Sequence, residues 1–170
     1  MKVNVNEILK NGVTLNVTEP REWLLSYFSE SDEVTQFLKQ DISLNIHFEM
    51  VKEAIRIQGT IETILSPTCC LCAETYSLPF TYTFEHMLFK FNAADALDDS
   101  VDYYEGYEID MLPIIGEQFA LGLPDQFICQ ETCHGLCHTC GINKNYSSCE
   151  CADNTNDDHR TIGEINHASS

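Results

Sequence analysis

Nine cysteines stand at Cys69-Cys70-Leu71-Cys72, Cys129-Gln130-Glu131-Thr132-Cys133, Cys137-His138-Thr139-Cys140 and Cys149-Glu150-Cys151. With Cys70 set aside, they form four close pairs. Zinc takes four soft ligands in a tetrahedron, with Zn–S about 2.3 Å, and two cysteines separated by two residues let one tight turn aim both thiolates at a single ion. The order CxxC, an eight-residue gap, then CxC over 137–151 is therefore a metal pattern, and Gly141 can open the turn after its second thiolate. An isolated CxxC also serves as a redox pair. Disulfides or an iron–sulfur cluster would draw on the same residues. The start of the chain carries no apolar leader, so no export is expected, and four close pairs in a reducing compartment favour structural metal.

If each pair acts as a unit, there are three ways to join four pairs into two sites. The preferred one makes Cys137, Cys140, Cys149 and Cys151 a local site, while Cys69, Cys72, Cys129 and Cys133 tie two distant segments together. Cys149-x-Cys151 is tighter than the usual pair, which leaves the other two partitions open. One or two structural zinc ions are expected. The stretch from Gly141 to Ser148 is rich in Gly, Asn and Ser and cannot order itself by apolar burial, so metal binding would supply the missing free energy. Four thiolate ligands leave no open position for water, which favours structure over catalysis. His134 and His138 lie inside the cluster and could replace a thiolate, but surface histidines are the preferred reading.

Charge is the second signal. The 170 residues hold 27 acids and nine Lys plus Arg, a net charge of −18. Between Phe91 and Asn143 there is no Lys or Arg, and ten acids fall there. Asp95, Asp98, Asp99, Asp102, Glu105 and Glu108 form the candidate docking segment for a basic partner; a plain solvated loop is the competing reading. Such a balance opposes wrapping of nucleic acid, whose binding depends on Lys and Arg displacing counterions. The basic residues Lys2, Lys10, Arg21, Lys39, Lys52, Arg56 and Lys90 all precede residue 91 and could form a local patch. No apolar run is long enough to span a membrane.

Elements must hold these groups in place. Alternation around Asn11-Gly12 predicts an N-terminal hairpin. Pro20–Phe28 reads as a short helix with Thr18 as a possible cap, followed by a polar loop from Ser29 to about Asp41. Ile42–Met50, Ile55–Leu65 and Ser77–Phe91 predict three antiparallel strands, each with one buried face, and Gly59 marks a bulge or a close backbone approach. Residues 92–109 lack an apolar period and read as a long loop. Asp110 caps a helix running to Leu121, with Leu112, Ile115 and Phe119 facing the sheet. The expected fold is α+β: a mostly antiparallel sheet or partly open barrel, a few short helices and a zinc-ribbon-like segment at 129–151. Residues 1–151 form one domain, and 152–170 a polar tail without fixed structure.

Other chemistry is poorly supported. The chain has no Gly-rich phosphate loop and no nucleophile elbow. His47 alternates with the apolar face of its strand and is expected in solvent. Trp23, Tyr103, Tyr104 and Tyr107 would suit an RNA stacking platform only if Arg or Lys were interleaved, so core packing is the preferred reading.

Several motifs together resemble a known family. They are Ile57-Gln58-Gly59-Thr60-Ile61, Cys69-x-x-Cys72, Tyr107-Glu108-Ile109-Asp110-Met111-Leu112-Pro113, Leu121-Gly122-Leu123-Pro124, and Cys129-x3-Cys133-His134-Gly135-Leu136-Cys137-x-x-Cys140-Gly141-x-Asn143. In this order they resemble the YceD-type family of large ribosomal RNA subunit accumulation proteins, from about residue 2 to Cys151. The resemblance implies a cytoplasmic or organellar, non-enzymatic factor needed for accumulation or processing of large-subunit ribosomal RNA. It matches all eight paired cysteines to the Cys-rich members. Cys70 and His138 depart from the family pattern. The charge then suggests a basic large-subunit ribosomal protein or the pre-large subunit as partner, with indirect contact to ribosomal RNA. Two readings compete: a metal-dependent RNA-processing enzyme with Asp110 or Glu117 as base, and direct RNA binding.

Overall fold

The three long apolar alternations become the three long strands of the sheet. In the computed structural model, which describes residues 1–91 and 102–151, they are β3 (Ile42–Val51), β4 (Ala54–Leu65) and β5 (Leu78–Lys90). β3 pairs antiparallel with β4, and β4 with β5. Ile42, Leu44, Ile46, Phe48, Ile57 and Ile61 are at most 2% exposed, while Ser43, Asn45, His47, Gln58 and Glu62 face solvent. Gly59 lies opposite both Ile46 and Phe84 without breaking either register. It is a close approach and not a bulge: a Cβ there would stand 2.5 Å from the Phe84 ring.

The chain start differs from the expected hairpin. β1 (Lys2–Asn4) is followed by a helix, α1 (Val5–Asn11), and only then by β2 (Val13–Glu19), which pairs with β3. Asn4 caps α1 by accepting from the Asn6 N–H at 2.9 Å, and Val5 and Ile8 are buried one turn apart. Gly12 has φ +68° and bonds back to the Ile8 carbonyl. Asn-Gly here ends a helix, because a helix C-terminus and a tight hairpin both need positive φ.

The helix expected over 20–28 shortens to α2 (Arg21–Leu25). Thr18 does not cap it but stays in β2, paired with Ser43; the Asp41 carboxylate instead accepts from the Arg21 N–H. The polar loop after it contains α3 (Val34–Phe37), with Val34, Phe37 and Leu38 buried. Of the long loop expected over 92–109, residues 92–101 lie outside the described residues. The remainder forms β6 (Asp102–Tyr104), parallel to the end of β5, and β7 (Glu108–Asp110), paired with β1. Three-residue strands are too short to show a period.

α4 (Met111–Gly122) starts as expected, its Leu112 N–H bonded to the Asp110 carboxylate at 3.1 Å. It buries Met111, Ile114, Ile115 and Phe119; Leu112 is only half-buried. Phe119 meets Phe80 of β5 at 5.1 Å between ring centres and Phe28 at 6.2 Å. The sheet order is β2-β3-β4-β5-β6. The fold is thus α+β, an open sheet antiparallel except for its last pair. Residues 152–170, where the polar tail was expected, lie outside the described residues.

Candidate metal centres and an acidic cavity

Two turns and one long segment carry the cysteines. After β4 the chain makes a knuckle in which Cys69 N–H bonds the Glu74 carbonyl and Ala73 N–H the Cys69 carbonyl. Ala73 takes φ +59° to close it. After α4, Cys133 N–H bonds the Gln130 carbonyl, and Gly135 has φ +67°, where a Cβ would stand 3.0 Å from the Leu71 carbonyl oxygen. Leu136 N–H then bonds that same carbonyl at 3.0 Å, which ties the second segment to the first. A third knuckle has Gly141 at φ +73°, its N–H on the Cys137 carbonyl. Nothing lies within 4 Å of a Cβ there, so glycine is needed for its backbone conformation alone.

These turns gather two sets of four thiols, Cys69/Cys72/Cys129/Cys133 and Cys137/Cys140/Cys149/Cys151, and within each set all sulfurs lie within 4.8 Å of one another. Cys69 Sγ to Cys133 Sγ is 3.9 Å and Cys72 Sγ to Cys129 Sγ is 3.7 Å. A tetrahedron with Zn–S bonds of about 2.3 Å has edges of about 3.8 Å. A disulfide requires about 2.05 Å, and all nine cysteines are free thiols. Both sets therefore fit a metal ion. Cys70, His134 and His138 are exposed and belong to neither set.

The electrostatics show why an ion fits. Burial opposes ionisation of Cys69, yet the N–H groups of Cys129, Cys72 and Leu71 bring it down to about 6. The N–H groups of Cys140 and Thr139 bring Cys137 to about 6 in the same way. Burial and the Cys133 thiol push Cys129 up to about 12, and the Cys140 thiol and burial push Cys151 up to about 12. Each set thus holds thiols whose ionisation is favoured, Cys69 and Cys133 in the first and Cys137 in the second, beside others whose ionisation burial and those neighbours oppose. A divalent cation removes that penalty, letting all four lose their protons. The two sets differ in shelter: Cys69 and Cys72 are buried, while Cys140 is exposed.

Asn145, which no spacing rule singles out, supports the first set. Its amide nitrogen lies 3.4 Å from Cys133 Sγ and is the main cause of the lowered Cys133 pKa.

The acidic segment divides. Asp95, Asp98 and Asp99 lie outside the described residues. Asp102, Glu105 and Glu108 line a cavity of about 290 Å³ together with His86, Asp110 and Glu117. Leu88, Ile109 and Ile114 form its apolar wall. His86 Nε2 is buried 3.1 Å from the Asp102 carboxylate, off the line of a hydrogen bond. His86 follows Phe80, Tyr82 and Phe84 on the inward positions of β5; a polar residue in that register was the available sequence signal for it. Asp110 has one carboxylate oxygen on the α4 cap, and Glu108 pairs with Lys2 at 3.4 Å.

The remaining candidates disperse. Tyr104 is buried, Tyr103 packs edge-on to Phe91, Trp23 packs against the core, and Tyr107 is 71% exposed. They form no common stacking face. His47 is exposed and bonded to Thr14. Among the predicted basic patch, Arg21 pairs with Glu22 and Arg56 with Glu49. Among the described residues no helix is long and apolar enough to cross a membrane.

No curated protein and no solved structure matches the chain. A family model described as "Large ribosomal RNA subunit accumulation protein YceD" matches residues 57–161, which is more than half of the chain. The match begins in β4 and takes in β5, β6, β7, α4 and all nine cysteines, with β2 and β3 before it. With its Gly59 strand, its capped α4 and both thiol sets inside that span, the chain belongs to the YceD family.

Proposed function

We propose that this chain is a non-enzymatic, cytoplasmic factor that supports accumulation of large-subunit ribosomal RNA by docking a basic protein, either a large-subunit ribosomal protein or a protein-covered part of the pre-large subunit. Two structural zinc ions close its cysteine sets. The observation that carries the reading is the cavity lined by five carboxylates around His86. A Lys or Arg side chain fits such a site: its charged end meets the carboxylates, and its aliphatic stem covers Leu88, Ile109 and Ile114. Contact with RNA is then indirect, in keeping with the net charge of −18.

Calorimetric titration with a basic large-subunit ribosomal protein tests this. At low salt the Glu105→Gln, Glu108→Gln, Glu117→Gln triple variant binds roughly tenfold more weakly, from three exposed pairs at about 0.5 kcal/mol each. Unchanged affinity would remove the cavity from the account. The enzyme reading has its own test, because Asn caps a helix as well as Asp does. Asp110→Asn keeps α4 while removing the base, and RNA cleavage that disappears with it would replace docking by catalysis.

A further inference from the structure

The second set of thiols is closed by a loop, 141–148, that does not keep to its own site. Asn145, in the middle of that loop, reaches the first set. Its Oδ1 accepts from the His134 N–H at 2.8 Å, so its Nδ2 must be the atom that faces Asn143 Oδ1 at 2.8 Å and Cys133 Sγ at 3.4 Å. Lys144 N–H bonds the Gly135 carbonyl at 2.8 Å, and Asn143 Nδ2 reaches Glu74, two residues beyond Cys72, at 3.4 Å. Cys133, Gly135 and Glu74 all belong to the first set's knuckles. The loop's ends are held by Cys140 and Cys149, ligands of the second set.

We propose that Asn145 couples the two thiol sets, so that an ion in either raises the affinity of the other. The inference rests on both sets taking metal. An ion in the second set pins residues 141–148 and places the Asn145 amide on Cys133, where an N–H donor stabilises a metal-bound thiolate and fixes its direction. Partners of this kind are commonly worth about 10–100-fold in metal affinity. With the second set empty, the loop keeps its bonds to Gly135, Cys137 and Glu74 but has no metal tether at Cys149, and the Asn145 amide is held on Cys133 less firmly. Coupling free energy is reciprocal, so an ion in the first set fixes Cys133 and, through Asn145, the loop that closes the second. Asn145 is a positioning residue that binds no ion itself.

The test is native mass spectrometry of the full chain at half-saturation with zinc. Two equal, independent sites leave about half of the chains with one ion, and unequal independent sites leave more; tenfold coupling lowers the share in either case, to about a quarter where the sites are equal. The expected result is a one-zinc share lower in the native chain than in Asn145→Ala, by about twofold for tenfold coupling of equal sites, with both still binding two ions at saturation. Asn145→Asp keeps the acceptor for His134 and loses the donor to Cys133, so it should behave as Asn145→Ala does. An Asn145→Ala chain whose one-zinc share is no higher than the native chain's overturns the coupling role. A native chain that never holds two ions overturns the metal reading, and the coupling falls with it.

Discussion

In β3 and β4, Ile42, Leu44, Ile46, Phe48, Ile55, Ile57 and Ile61 are at most 2% exposed. From Cys129 to Cys151 only Gly135 and Cys137 are buried, and the sole bridge with a strand-like pairing joins Leu136 to Asn143. The sheet needs nothing but water to exclude its apolar face. The cysteine segment buries too little to offset the entropy of ordering its residues and is held by turns that point sulfur inward. One chain therefore contains a part stabilised by burial and a part whose order, on the proposed reading, depends on a metal ion.

Metal removal should separate the two most sharply. Structural zinc supplies apparent free energies of about 10–16 kcal/mol in small zinc-dependent folds, far more than the segment's own contacts. Chelation should therefore abolish hydrogen-exchange protection over 129–151 while β3, β4 and β5 keep theirs. Loss of protection in all three strands would mean that the metal sites hold the whole domain together.

Acid should do the same more gradually. Cys69 and Cys137 are held at about 6 against an ordinary 9.0. Their ionised forms favour the native arrangement above the ordinary value, and that contribution is lost as pH falls through about 6. Protons compete with metal for the thiolates, so bound metal should be lost on further acidification, below these metal-free values. Metal content that never falls on acidification would argue against thiolate ligation.

The opposite perturbation acts on the sheet. Phe48→Ala should cost about 3–5 kcal/mol, read as a lower melting temperature in both metal-loaded and metal-free protein. Smaller effects come from two glycines needed for different reasons. Gly59→Ala forces a methyl against the Phe84 ring and should cost about 1–3 kcal/mol of sheet stability. Gly141→Ala meets no atom but must hold φ +73°, so it should cost about 1 kcal/mol and appear as weaker metal binding. A melting shift as large as that of Gly59→Ala would show that the third knuckle is part of the core.

The same contrast explains what the residues disclosed. Period-two runs gave away β3, β4 and β5, because a strand with one dry face must alternate. The Asp110 cap and the cysteine spacings were equally plain, since each follows from local geometry. What stayed hidden depends on distant pairing. Lys2 to Asn4 became a strand by meeting Glu108 to Asp110, and Asn11-Gly12 ends a helix because the Asn4 cap and the burial of Val5 and Ile8 follow that strand. β6, with three residues and a parallel partner, carries no pattern of its own. Asn145 looks like any loop asparagine until His134 and Cys133 are brought to either side of its amide.

The most direct test of the ligand-dependent segment is the metal content of the intact chain, purified under reducing, chelator-free conditions and measured by native mass spectrometry with elemental analysis. Two zinc ions per chain are expected, one for each set of four thiols. No metal, with all nine thiols free and residues 129–151 still protected from exchange, would contradict the account.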